Sequence, residues 1–475
     1  MISKPHIVIF PFMSQGHTIP LLDLSKKLSS RSLKVTIITT PSNSSSIRSY
    51  TSQYSNIHLR EISFPHIHEL PHGCENTSQL QSIDQLLLFL RATKKLQAPF
   101  EETLEDLSKH QDPPTCVISD SFLGWTNDSC RAFGVSRLVF HGMGAFAMAV
   151  KKSLSINQNH KCVESDTEPL DVKGVRLRFE VKKKDLPNSL RQMDSCLSQF
   201  FVEAEKSDLG SSGVIVNSFS ELEKEHIASL ESLYGNGTRA WCVGPLFLYG
   251  EMEGERTTQQ NGQTSLRKWA SWLNRHEEEN SVIYVAFGSQ ADLSESQLDE
   301  LAYGLELSEM DYILVVRSKS NWEPPSDIVS EGKKGLILKE WIDQKWVLAH
   351  RAVGGFLSHC GWNSVLESLS MGVPILAWPM QNEQHLNARF LVEEIKVGVQ
   401  VPTVSREEGK IVRREVICEA VKELMGGDGS GKKAREKAME LGKWAKRAVQ
   451  VGGSSYKCLD ELIHQLSHQV KTDYS

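Results

Sequence analysis

The sequence predicts an α/β protein of two doubly wound parallel-sheet domains facing each other across a cleft, and three observations carry that expectation. The chain has 475 residues, too many for one compact core and suited to two domains of ordinary size. Short apolar strands alternate with helical stretches in both halves, the pattern of parallel sheets joined by helices. A polar stretch after Gly244-Pro245 separates the halves.

The first half opens with the apolar strand His6–Phe10, a loop at Pro11–His17 and an amphipathic helix near Thr18–Ser30. Leu21, Leu24 and Leu28 share one face of that helix. The next strand, Lys34–Thr40, completes a βαβ unit. Cys116–Ser119, Arg137–Phe140 and Gly213–Asn217 read as further strands. Tyr50–Cys74 and Asn157–Pro187 are less regular and read as long loops with short helices. The segment 246–265 is rich in Gly, Glu, Gln and Thr and reads as a linker.

In the second half Ser281–Phe287, Tyr312–Arg317, Gly335–Glu340, Gly354–Leu357, Val373–Trp378 and Val397–Val401 read as strands. Helices at Ser294–Leu307, Gly361–Met371 and Glu383–Lys396 separate some of them, and two more close the chain. The expected division is 1–245, the linker, 266–452, and a terminal helix 453–475 packed back on the first domain.

Composition narrows the function classes. Hydrophobic residues make up 40% and charged residues 24%, ordinary for a globular chain. A net charge of −6 gives no electrostatic reason to expect nucleic acid or an anionic membrane. Met1–Pro5 runs straight into the first strand with no leader pattern, and no apolar run approaches a membrane span. The 9 cysteines include no Cys-x-x-Cys pair. Free thiols in a reducing cytosol fit that spacing. The expectation is a cytoplasmic monomer that binds small molecules, with neither nucleic acid nor stable membrane insertion.

The densest run of special residues is Trp341–Gln384. A buried strand at Gly354–Leu357 leads to a helix starting near Gly361, whose N–H groups and dipole suit an anion. Asn363 and Glu367 are one turn apart on one helical face, with His359 a turn earlier at the entry. His359 and Asn363 can donate to a diphosphate, and Glu367 can accept from paired hydroxyls. Trp341 offers a surface for stacking on a planar base. Ligands of open α/β sheets bind at the strand end where it lies.

This segment resembles, over its full length, the signature box of plant family 1 UDP-dependent glycosyltransferases, whose fold is of the GT-B type. The resemblance implies that Trp341 stacks on uracil, with Ile342 and Gln344 at its edge. It assigns His359, Asn363 and Ser364 to the diphosphate, beside the helix start at Gly361, and Glu367 to the ribose. It assigns Trp362, Glu383 and Gln384 to the sugar hydroxyls, and Ser289, after Phe287-Gly288, to a further phosphate contact. Ile342-Asp343 departs from the usual Ala-Pro of the box.

Transfer of a sugar in one displacement needs a base for the acceptor proton. His17 stands at a loop-to-helix junction, where the helix N-terminus disfavours imidazolium. Asp120 ends a strand at the same sheet edge and is the candidate to fix the tautomer of His17. Both match the family's catalytic His and its Asp partner; the alternative for Asp120 is a helix cap. Phe12, Phe122, His141, Phe146 and Phe200 are candidates for the acceptor pocket. Gly142 stands about where relatives carry Thr or Ser toward the sugar. His66, His68 and His72 lie between prolines and read as a loop near that pocket, not as a metal cage. No Asp-x-Asp pair is present, so the expected enzyme is metal-independent and needs no cofactor beyond its UDP-sugar co-substrate.

Gln384 points to UDP-glucose, by resemblance, and inversion of that donor gives a β-glucoside. A phenolic acceptor such as a flavonoid is expected, with a terpenoid or steroid, or attack by carbon, left open. A nicotinamide-dependent oxidoreductase would need Gly-x-Gly-x-x-Gly after the first strand, where only Gly16 stands. A non-catalytic UDP-sugar sensor would lack the base or its partner, and both are present.

Overall fold

The computed structural model describes residues 5–110, 113–191, 195–252, 265–288, 293–316, 322–331, 334–402 and 411–472. The chain divides into two compact units. The first holds Met1–Arg176, Asn188–Glu255 and Arg447–Ser475; the second holds Leu177–Pro187 and Arg256–Lys446.

The first unit is built on seven parallel strands: β1 (His6–Phe10), β2 (Lys34–Thr39), β3 (Ile57–Glu61), β4 (Cys116–Asp120), β5 (Ser136–His141), β6 (Gly213–Val216) and β7 (Arg239–Cys242). Their spatial order is β3-β2-β1-β4-β5-β6-β7, so the winding reverses between β1 and β4. β1, β4 and β6 are buried at every position. Such central strands of a parallel sheet lie between helical layers and read as continuous apolar runs. One face packs Val8, Phe10, Val117 and Ile38 against Phe89, Phe100 and Leu104. The other packs Val139, Val214 and Val216 against Met148 and Leu230. Each such side chain, fully buried, contributes about 1.5–3 kcal/mol.

The second unit has six parallel strands: β8 (Val282–Ala286), β9 (Asp311–Val315), β10 (Gly335–Leu338), β11 (Val353–Ser358), β12 (Ile375–Ala377) and β13 (Gly398–Gln400). Their order, β10-β9-β8-β11-β12-β13, reverses between β8 and β11. Alternate residues of β8 serve opposite layers. Ile283 and Val285 join Leu301, Leu357 and Val421, while Val282, Tyr284 and Ala286 join Val353, Phe356 and Trp269.

The structure corrects two expectations. Tyr50–Cys74 contains β3, whose exposed His58 and Glu61 hide the alternation of an edge strand. The segment after Gly244-Pro245 is not all linker. Phe247–Met252 is a helix of the first unit, with Leu246, Leu248 and Tyr249 buried, and a second helix begins at Ser265. Residues 253–264 lie outside the described residues.

The last helix, Ser454–Thr472, lies against β7. Its Asp460 pairs with Arg31 at 2.7 Å, and its Tyr456 ring lies under the Arg31 guanidinium at 4.2 Å. Arg31 ends the helix Gln15–Ser30, the same helix that bears His17 in its first turn. No helix among the described residues is long and apolar enough to cross a membrane.

Candidate active site

At the reversal point of the first sheet, β1 and β4 run side by side, with Phe10 opposite Ser119. The residues beyond their C-terminal ends therefore meet. After β1 the chain turns through Ser14, whose carbonyl accepts from His17 N at 3.0 Å and Thr18 N at 2.8 Å, opening the helix Gln15–Ser30. His17 Nδ1 then lies 2.7 Å from Oδ2 of Asp120, the last residue of β4. The Asp120 side chain is fully buried and that of His17 is 23% exposed. Asp120 also accepts from Phe122 N through Oδ1 at 2.9 Å. It is at once a cap and a histidine partner, one oxygen for each. With Nδ1–H committed to Asp120, the lone pair of the ring sits on Nε2.

Aromatic rings surround this pair. His17 lies 4.8 Å from Phe122 and 5.5 Å from Phe12, and Phe122 meets Phe201 at 5.2 Å. Phe12 meets Phe89 at 5.9 Å. Phe12, Phe122 and Phe200 thus belong to one cluster, which Phe64, Phe89 and Phe201 join. His141 and Phe146 do not. His141 ends β5 with its side chain turned to Asp208, Nε2 to Oδ2 2.7 Å, and is only 4% exposed. Strand alternation gives the opposite side to Gly142, where a Cβ would meet His17 Cε1 at 3.8 Å. Phe146 is buried edge-on against His226. The rings of His66 and His72 are 6.5 Å apart, and no group of three metal-binding side chains occurs among the described residues.

The second sheet places its special residues at the same topological point, after β8 and β11. β11 ends at Ser358, and the helix Trp362–Met371 starts four residues later. The chain makes that tight turn through Cys360 at φ +64°, a left-handed conformation costing about 1 kcal/mol for a residue with a Cβ. Ser358 Oγ accepts from Cys360 N at 3.1 Å, and Asn387 Nδ2 donates to Cys360 O at 2.9 Å, which together hold it. The helix N-cap is Gly361, which has no side chain to cap it.

The His359 ring is wedged between Gly288 and Gly361. A Cβ at Gly288, itself at φ +72°, would fall 2.6 Å from His359 Cε1, and one at Gly361 would also collide with the ring. Burial pushes the imidazole pKa down to about 4, so the ring is neutral at pH 7. Its Nδ1 is buried without a hydrogen-bond partner. Asn363 and Glu367 follow on the open face of the helix, and both are half-buried. Gln344 Nε2 donates to Glu367 Oε2 at 2.7 Å and to Ser364 Oγ at 2.9 Å, tying three of the expected ligand contacts to one another.

Trp341 stands three residues beyond β10 with 68% of its surface exposed, a platform open for stacking. Ile342 is buried in the core beneath it. Asp343 accepts from Lys345 N at 3.2 Å and caps the helix Gln344–Leu348, which explains an acid at this departure from the box. Trp362 as a whole residue is 2% exposed, so its indole is packed into the protein and not turned to solvent. After β12 the loop reaches Glu383 and Gln384. Gln384 Oε1 accepts from Met380 N and Gln381 N at 3.0 and 2.9 Å, which holds the carbonyl end of its amide to its own loop. Ser289 lies outside the described residues.

Two doubly wound domains, one with an uncapped helix N-terminus and an exposed Trp, the other with a His–Asp pair, hold the features that a transferase using a nucleotide-activated donor requires. The chain matches the family described as UDP-glucoronosyl and UDP-glucosyl transferase over residues 261–443, and the glycosyltransferase N-terminal domain over 4–248. It is 40% identical to UDP-glycosyltransferase 90A1 of Arabidopsis thaliana, over 97% of this chain and 96% of that protein. It is 35% identical to scopoletin glucosyltransferase of Nicotiana tabacum, over 99% of each. Among solved structures, Phytolacca americana UGT2, complexed with UDP-2-fluoro-glucose and pterostilbene, matches at TM-score 0.81 and 29% identity, over 98% of this chain and 100% of that one. The chain belongs to the plant family 1 UDP-glycosyltransferases. It is therefore an enzyme that takes a sugar from a UDP-sugar donor.

Proposed function

We propose that the enzyme transfers glucose from UDP-glucose to a hydroxyl of a flat phenolic acceptor, with inversion and without a metal ion. The observation that carries this reading is the 2.7 Å contact of His17 Nδ1 with buried Asp120. It fixes Nε2 as the nitrogen that accepts the acceptor's proton. The deprotonated oxygen bonds to the anomeric carbon as the bond from that carbon to the UDP oxygen breaks. The electron pair leaves with UDP, and the proton stays on His17, where the Asp120 carboxylate stabilises the imidazolium.

Each donor residue has a matching task. Trp341 stacks on uracil, while Ile342 and Gln344 face its edge. Glu367 accepts from the ribose hydroxyls. His359, Asn363, Ser364 and the N–H groups beyond Gly361 meet the diphosphate and the charge it gains on leaving. Glu383 and the Gln384 NH₂ hold sugar hydroxyls, and Trp362 lies beside them at the start of the helix. We assign a further phosphate contact to Ser289. The aromatic cluster around His17 supports a flat ring. So do a relative named for scopoletin and a solved relative holding pterostilbene, since both compounds are phenols.

Incubation of the purified chain with UDP-glucose and a panel of flavonols and simple phenols, in EDTA, is expected to release UDP and form O-linked products. Product NMR should show β-anomers. An α-anomer, or activity restored only by added Mn²⁺, would sink the inverting, metal-free mechanism.

A further inference from the structure

The helix Cys196–Asp208 bears Phe200 and Phe201 near its middle and ends in a turn holding Glu205, Ser207 and Asp208. Phe201 touches Phe122, which touches His17. The polar turn reaches three further elements. Ser207 Oγ donates to the Gly124 carbonyl at 2.5 Å, just past the turn that Asp120 caps. Asp208 Oδ2 lies 2.7 Å from His141 Nε2, the residue before Gly142. Glu205 pairs with Lys152 at 2.8 Å and Lys151 at 3.5 Å on the helix Ala145–Asn157. Arg137, 3.7 Å from Asp208, donates to Ser119 and Ser211, and Lys152 lies over Tyr234 at 4.6 Å.

This group is buried: Arg137 and Asp208 are each 1% exposed and Lys152 3%. Burial works against the Glu205 charge, and Lys152 and Lys151 outweigh it, keeping the carboxyl ionised below the usual range. Several atoms lack hydrogen-bond partners, namely Arg137 Nη2, Asp208 Oδ1, both ring nitrogens of His141, Glu205 Oε2 and Tyr234 Oη, so that His141 Nε2 and Glu205 Oε2 are held as ion pairs by distance alone. Taking such charges out of water costs several kcal/mol each, and apolar residues of equal volume hold helices together as well or better. Stability is a poor reason for this arrangement. What directed charge pairs supply is one register in place of several, because an oily interface slides where an ion pair does not.

We propose that Glu205, Ser207 and Asp208 are positioning residues that set the shape of the acceptor site. They do so by locking the Phe200–Phe201 helix in register with the strand end that bears Asp120 and the turn that bears Gly142. The inference rests on reading the His17 aromatic cluster as the acceptor site. A wall in one register discriminates among rigid phenols, and a wall free to slide takes them alike.

The test compares Asp208→Asn, Lys152→Met, Lys152→Arg and Ser207→Ala with the wild-type enzyme on a single-ring phenol and a flavonol, varying UDP-glucose separately. Asp208→Asn and Lys152→Met are expected to raise KM for the flavonol about 10-fold or more relative to the small phenol. KM for UDP-glucose should stay within about twofold, and Lys152→Arg should recover most of the selectivity. Ser207→Ala, which removes one uncharged clasp, carries the test if Asp208→Asn does not fold. Equal losses on both phenols that follow a lowered unfolding temperature overturn the proposal, and so does unchanged selectivity in folded variants. If the wild type uses neither phenol, or His17→Ala uses them at full rate, the acceptor-site reading itself has failed and the proposal falls with it.

Discussion

At the reversal of the first sheet, the polar groups beyond β1 and β4 are already matched to each other: His17 Nδ1 to one Asp120 oxygen, Phe122 N to the other. At the reversal of the second sheet, Gln344, Ser364 and Glu367 are tied to one another, but the turn after β11 is not fully matched. His359 keeps a buried ring nitrogen without a partner, and the helix after it begins at a glycine that cannot cap it. The topology is the same and the state of the two imidazoles is opposite: His17 is held by a carboxylate, and His359 Nδ1 has no hydrogen-bond partner. A base has to be oriented before the substrate arrives, so its partner belongs to the protein. A diphosphate site has to offer donors, so its partners arrive with the ligand.

This contrast can be broken from either side. His17→Ala should cut turnover at least ~100-fold and leave the UDP dissociation constant nearly unchanged by calorimetry. A parallel loss of UDP affinity would mean the two halves are not separable. The next effect is on stability. Because the folded pKa of His359 is about 4, below the ordinary 6.5, the unfolded chain binds more protons between those values. The stability is therefore present above pH 6.5 and lost as pH falls toward 4. Between pH 7 and pH 5 this amounts to about 2 kcal/mol, and His359→Gln should unfold with a flatter pH dependence than the wild type. Equal pH slopes would show that the ring is not held neutral.

Glu367→Gln removes the charge that Gln344 uses and that we assign to the ribose. It should raise KM for the donor about 10-fold with a smaller change in kcat. A fall in kcat at saturating donor would move Glu367 from binding to chemistry. The smallest effect is expected at Gly288→Ala, which needs a positive φ and presses a methyl onto His359. A destabilisation of about 1 kcal/mol or somewhat more, with weaker UDP binding, should appear in unfolding scans with and without UDP.

The donor half was legible in sequence because it is local: one strand, one turn and one helix hold His359, Asn363 and Glu367 within a short contiguous run. His17 and Asp120 are distant in sequence, yet each ends or follows a strand, and parallel strands share an edge. The aromatic cluster around His17 was harder. Phe89 and Phe201 come from helices whose packing against Phe12 and Phe122 no periodicity encodes, although the apolar stripe of Ile83–Ala92 was there to be noticed. His141 was misplaced by one residue of strand alternation, which is enough to turn a side chain from the site to the interior. The charges of β3 and the short length of Phe247–Met252 hid both elements behind polar composition. At Gln384 the residue was legible, but not that its carbonyl oxygen is spent on its own loop.

The clasp of Asp460 and Tyr456 on Arg31 has a consequence for how the molecule is made. Translation delivers residues 1–255, among them Leu177–Pro187 of the second unit, then the rest of that unit, and only then the segment that completes the first. Throughout that interval the nascent first unit carries β7 at its sheet edge without the helix that later lies against it, a strand flank open to other chains. The unit that begins synthesis is the last to finish folding, and the second unit has the shorter wait.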